Sequence, residues 1–139
     1  MSAYIEKVPF PKSCYQPVVD FESWRVAVLK ACDDLHPERL KHLQKHLYTD
    51  EVFVLLSGSC NLYEAGDQEE PGPLVQVPME KDKAYNVKKG VWHTHTLSDD
   101  ASLLIVENQD TNDDNSPVYP LTKELRQQLL QWEKGHTVP

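Results

Sequence analysis

From Glu51 to Asn108 the chain is built of short apolar or alternating segments, each closed by a polar or glycine-containing turn. EVFVLLS, CNLYE, LVQVPM, AYNVKKG, VWHTHTL and ASLLIVEN follow one another in this interval. Runs this short cannot make stable helices, and their β-branched and aromatic content suits strands. Regularly spaced strands with no helix between them predict an all-β sandwich or barrel, not βαβ units with a parallel sheet. The first two segments flank Ser57-Gly58-Ser59, which reads as a β-hairpin turn with glycine at the bend.

The flanking regions are more varied. VPFPKSCYQP, with three prolines, reads as part of an extended N-terminal arm over about residues 1–20. SWRVAVLKAC predicts a strand, with a short helix as competitor. HPERLKHLQKHL fits both types: Leu40, Leu43 and Leu47 suit a helical stripe, whereas His42, Gln44 and His46 would share one face of a strand. In LTKELRQQLLQWEKG the apolar residues Leu121, Leu125, Leu129 and Trp132 recur near helical spacing. This predicts a C-terminal amphipathic helix over about residues 121–134, stopped by Gly135. One domain covering 1–139, with a barrel at about 21–110, accounts for the whole pattern.

The balance of 14 basic against 22 acidic residues, a formal net charge of −8, argues against nucleic acid as a partner, since no basic face is available to meet phosphates. No apolar run approaches the roughly 20 residues of a membrane span, and no secretory leader pattern is visible, so cytoplasmic residence and no membrane contact are expected. Cys14, Cys32 and Cys60 are odd in number and widely spaced. That pattern predicts free, buried or partly buried thiols, neither a disulfide frame nor a cysteine zinc site.

Four of the six histidines, His42, His46, His93 and His95, fall in or beside the predicted strands. Alternation places His93 and His95 on one face with Val91, and Trp92 and Thr94 on the other. Glu51 opens its own strand just after His46. A small antiparallel barrel gathers inward-facing positions of different strands, so two imidazoles, a carboxylate and one more N or O donor can meet on one ion. The plainer readings are a solvated pair for His46 and Glu51, a hydrogen-bonded core residue for His93, and a surface residue for His42. Phe53, Tyr85 and Trp92 read first as core or interface aromatics, with substrate contact as the second reading.

Two spacings resemble the cupins, a family of small metal-binding β-barrels. The second half of the first cupin motif is a histidine, three or four residues, a glutamate, six residues and a glycine. Here it reads His46, four residues, Glu51, six residues, Gly58. The middle of the second motif, a glycine, two residues and a histidine, reads Gly90, Val91, Trp92, His93. The departures are Gln44 in the place of the first-motif histidine, Lys88 for proline, Leu97 for the final asparagine, and the loss of both leading glycines.

The resemblance implies an RmlC-like jelly-roll barrel, a double-stranded β-helix with a C-terminal α-helix. It implies a metal set of His46, Glu51 and His93 with Gln44, compensated by His42 or His95, holding one divalent transition ion (Zn, Fe, Mn or Ni). It also implies a pocket lined by Phe53, Leu55 and Val91, with Phe53, Tyr85 and Trp92 as substrate contacts, His95 as proton carrier, and a homodimer. GVWH, VEN and YPLTKELRQQL are distantly similar to ureidoglycolate-lyase-type cupins. The expected function is a metal-dependent lyase or isomerase acting on a small hydroxy acid, keto acid or ureido compound. The alternatives are a non-catalytic cupin that binds a sugar or small metabolite, and a metal-free dimeric barrel.

Overall fold

The computed structural model describes residues 2–135. In chain order the strands are β1 (Cys14–Phe21), β2 (Trp24–Lys30), β3 (His42–Gln44), β4 (Glu51–Ser57), β5 (Cys60–Glu64), β6 (Val75–Pro78), β7 (Ala84–Val87), β8 (His93–Leu97), β9 (Ser102–Asn108) and β10 (Val118–Pro120), followed by helix α1 (Lys123–Glu133). They form two five-stranded sheets, ordered β1-β2-β9-β4-β7 and β10-β3-β8-β5-β6. Every pairing is antiparallel. This is a jelly-roll barrel, all-β with one C-terminal helix, as the strand spacing predicts.

Strand alternation sorts the side chains into two apolar layers. Inside the barrel, Phe53 and Leu55 of β4 meet Leu103 and Ile105 of β9, Ala27 and Leu29 of β2, and Cys60 and Leu62 of β5. The central strands of the second sheet are covered on both faces. Its outer face, with Leu43, Tyr63 and Trp92, is covered by Leu121, Leu125 and Leu129 at and within α1. The helix forms where the leucine spacing predicts: the Thr122 side chain caps it by accepting the Leu125 N–H at 3.2 Å, and Gly135 follows at φ +73°. Glu133 near its end accepts hydrogen bonds from Asn61, Tyr63 and Thr96, which pins the helix to β5 and β8.

Three expectations need correction, and one open segment is settled. β4 and β5 are not a hairpin, because β4 pairs with β7 and β9 whereas β5 pairs with β6 and β8. The Ser57–Ser59 bend is therefore a corner between the two sheets. Gly58 is needed there for two reasons: its φ is +70°, and a Cβ would lie 2.6 Å from the Ala101 Cα. The ambiguous HPERLKHLQKHL segment begins in irregular chain and becomes strand β3 only at His42–Gln44; β3 pairs with β8 and β10. The expected arm is already strand from Cys14, because β1 completes its ladder on β2. Finally, Cys14 and Cys32 are disulfide-bonded, with Cα atoms 5.2 Å apart; only Cys60 is a free, buried thiol. The β1–β2 register brings the start of one strand beside the end of the other, a proximity that linear spacing does not reveal.

No helix among the described residues is long and apolar enough to cross a membrane.

Candidate metal centre

The site grows from the strand ends at one mouth of the barrel. Glu51 is the first residue of β4, His93 the first of β8, and His46 lies two residues beyond β3, whose last residue Gln44 pairs with His93 across the ladder. All three candidate ligands are buried, with 7% exposure for His46, 5% for Glu51 and 6% for His93. His46 Nε2 lies 3.1 Å and His93 Nε2 3.0 Å from the same oxygen, Glu51 Oε1. One ligand atom from each residue falls within 4.8 Å of the others, so the group could hold a metal ion.

The opposite ring nitrogens are also engaged. His93 Nδ1 is 2.9 Å from the Val91 carbonyl, which can only accept, so the proton sits on Nδ1 and Nε2 faces Glu51. His46 Nδ1 is 2.7 Å from Ser116 Oγ, whose own hydroxyl can donate to Asn115 Oδ1 at 3.2 Å. Ligand histidines oriented through their other nitrogen are the usual support of a protein metal site. Burial alone would raise the Glu51 pKa, but hydrogen bonds from His46 and His93 outweigh it and hold the carboxyl well below the usual carboxylate range. Burial likewise disfavours a charged His93, and the Glu51 carboxylate reverses this, raising its pKa.

A cavity of about 490 Å³ opens onto this group. Phe53, Leu29 and Ile105 supply apolar wall, and Gln44 and His95 also line it. Burial pushes the His95 pKa down to about 4, and its Nδ1 has no hydrogen-bond partner. Beside Glu51 lies a polar cluster: Glu107 Oε2 accepts from the Tyr15 hydroxyl at 2.5 Å and from Arg25 Nη1 at 3.1 Å. Burial and then the nearby Glu51 charge push the Glu107 carboxyl up.

Thus Gln44, His46, Glu51, Phe53, His93 and His95 converge on one cavity. The others lie elsewhere. His42 is exposed, so it cannot stand in for the missing first-motif histidine. Trp92 packs in the outer layer beneath α1, on the face opposite His93. Tyr85 and Val91 line a separate cavity of about 400 Å³ near β6 and β7, and Leu55 belongs to the barrel core. Sequence reasoning missed Tyr15, Arg25, Glu107 and Ser116. Glu107 had one legible signal: it is a charged residue on the inward register of the otherwise apolar SLLIVEN strand.

No protein-family model matches the sequence, and no curated protein matches it. Solved structures do match in shape. A uridine-bound variant of Streptomyces PAC13 superposes with a TM-score of 0.57 at 12% identity, over 86% of this chain and 93% of that one. Pac13, described as a nucleoside dehydratase, matches at a TM-score of 0.55 and 11% identity over 82% and 84% of the two chains. WlaRA, a TDP-fucose-3,4-ketoisomerase from Campylobacter jejuni, matches at 0.52 and 20% over 70% and 68%. Identities this low speak to fold alone. With the strand topology, they show that this chain shares the jelly-roll barrel fold of these proteins.

Proposed function

We propose that the chain is a metal-dependent enzyme acting on a small molecule in the cavity above Glu51, with His46, Glu51 and His93 as ligands of one divalent transition ion. One observation supports this most directly. Two imidazole Nε2 atoms face a single carboxylate oxygen at 3.0 and 3.1 Å, while both Nδ1 atoms are engaged elsewhere. Lone pairs converging in this way need a proton or a cation between them, and two imidazoles with a carboxylate suit Zn, Fe, Mn or Ni. Gln44 lines the same cavity, and its amide oxygen would be a further donor to the ion or a contact to the ligand.

When bound, such an ion supplies Lewis acidity toward a carbonyl or hydroxyl oxygen of the substrate. The chain's own residues then divide the remaining work. Phe53, Leu29 and Ile105 exclude water from one side of the substrate. The neutral His95 imidazole, on the cavity wall, accepts or returns a proton. This suits a lyase or an isomerase. A nucleoside dehydratase and a ketoisomerase share the fold, which shows that it accommodates both reaction types but does not choose between them. Ureido compounds and small hydroxy or keto acids are the substrate classes to screen.

The test is metal analysis of protein purified without added metal. Wild type should carry one transition ion per chain, and His46→Ala and His93→Ala should each lose it. Equal and negligible metal in all three would sink the reading. His95→Ala should keep the metal and abolish turnover.

A further inference from the structure

The charges around the cavity restrict what can enter it. Four acidic residues line it, namely Asp34, Glu51, Glu107 and Asp113, and Arg25 is its one lysine or arginine. That arginine is already committed. Its Nη atoms donate to Glu107 at 3.1 Å, to the Tyr15 hydroxyl at 3.4 Å, and to the Thr111 and Gln109 carbonyls at 3.3 and 2.7 Å. Its Nε lacks a partner but is shut away from solvent.

Among the described residues, no lysine or arginine of the lining is therefore free to meet a carboxylate or phosphate on a ligand. A divalent ion on Glu51 would leave one positive charge at the metal, and Arg25 and Glu107 cancel. Asp34 and Asp113 remain in excess, both exposed and each in a short 3₁₀ turn beside the cavity. A cationic ligand fares no better deeper in, where it would meet the metal's residual charge and the apolar wall of Leu29, Phe53 and Ile105. That wall and the partnerless His95 favour a molecule with an apolar or ring face and neutral hydrogen-bonding groups.

We propose that the cavity selects uncharged hydroxyl- or amide-bearing molecules and turns away carboxylates and phosphate esters, with Asp34 and Asp113 setting the discrimination. This rests on the reading of the cavity as the active site, and it narrows the substrate to uncharged polyhydroxy or carbamoyl compounds. Of the classes to screen, the ureido compounds therefore come ahead of the hydroxy and keto acids.

The experiment compares iodoacetamide with iodoacetate, alkylating probes of nearly equal size that differ in charge, on metal-free protein at low salt. Modification of His46, His93 and His95 is followed by mass spectrometry. Exposed His42 reports each reagent's intrinsic reactivity and the field of the whole acidic molecule. Cys60 is buried and Cys14 and Cys32 are paired, so thiols compete little. Relative to His42, the cavity histidines should prefer the neutral reagent by roughly tenfold, and added salt should erode that preference. Asp34→Asn with Asp113→Asn should reduce it at least threefold and leave His42 unchanged. A cavity preference equal to that of His42, or one untouched by the double variant, overturns the proposal. Failure of both reagents to reach any cavity histidine overturns it too. Because no metal is needed, failure here is separable from failure of the metal reading.

Discussion

At the scale of single residues, alternation put His93 and His95 on one face, and the resemblance to the cupin motifs added His46 and Glu51 to the candidate metal set. His93 and His95 are two apart on one strand, so both face inward, and the spacing from His46 to Glu51 spans one turn into β4. The sequence could not place His42, because a three-residue strand preceded by irregular chain offers too little periodicity to fix a face. Glu107 and Tyr15 were hidden for another reason: they meet only through the β1–β2–β9 ladders. His95 supports a prediction about pH. Its folded pKa of about 4 lies below the ordinary 6.5, so between these values the unfolded chain binds more protons than the folded one. Stability is therefore full above about pH 6.5 and falls as the pH drops toward 4. Denaturant melts of chelator-treated protein at pH 7.5 and 4.5 should show wild type losing about 2 kcal/mol more than His95→Gln. Equal losses in the two proteins would show that His95 is not held neutral by burial.

At the scale of elements, the two motif glycines are present for different reasons. Gly58 at φ +70° faces the Ala101 backbone, with a built Cβ 2.6 Å from its Cα and 2.7 Å from its N, so nothing nearby can yield cheaply. Gly90 at φ +79° has open space around it. Gly58→Ala should therefore cost about 3 kcal/mol or more, and Gly90→Ala about 1 kcal/mol from backbone conformation alone. Matched urea melts test the ranking, and the reverse order would refute it. The β1–β2 unit is tied by the Cys14–Cys32 bond across 18 residues of chain, a loop whose closure is worth about 3 kcal/mol in the chain-entropy picture. Native protein should show almost no reactive thiol, since burial and the Glu133 charge push Cys60 up to about 12. Unfolding should expose one thiol per chain. Cys14→Ser with Cys32→Ser should lower stability by about that 3 kcal/mol, and two additional thiols in unreduced wild type would disprove the pairing.

At the scale of the whole molecule, β1 is an edge strand with an open ladder, and Phe21 at its end and Trp24 at the start of β2 are 59% and 42% exposed. Open edges with apolar neighbours invite pairing with another chain. The expected homodimer would cover this edge. Light scattering at micromolar concentration should give twice the chain mass, and Trp24→Glu should shift it toward monomer. A wild-type monomer would remove this reading.

Strand spacing, the leucine repeat of α1 and the two half-motifs are local patterns, and local chemistry dictates them. The all-β class, the C-terminal helix and the shared face of His93 and His95 were therefore readable from the chain alone, whereas the inward place of His46 and Glu51 was implied only by the resemblance to the cupin motifs. Which strands pair is decided by contacts far apart in sequence. That is why the Gly58 bend turned out to be a corner between sheets, Trp92 fell beneath the helix, Cys14 met Cys32, and Arg25 was spent on Glu107. The last of these matters most for function. A guanidinium read from sequence is a free cation, and only the folded barrel shows that its charge is already used.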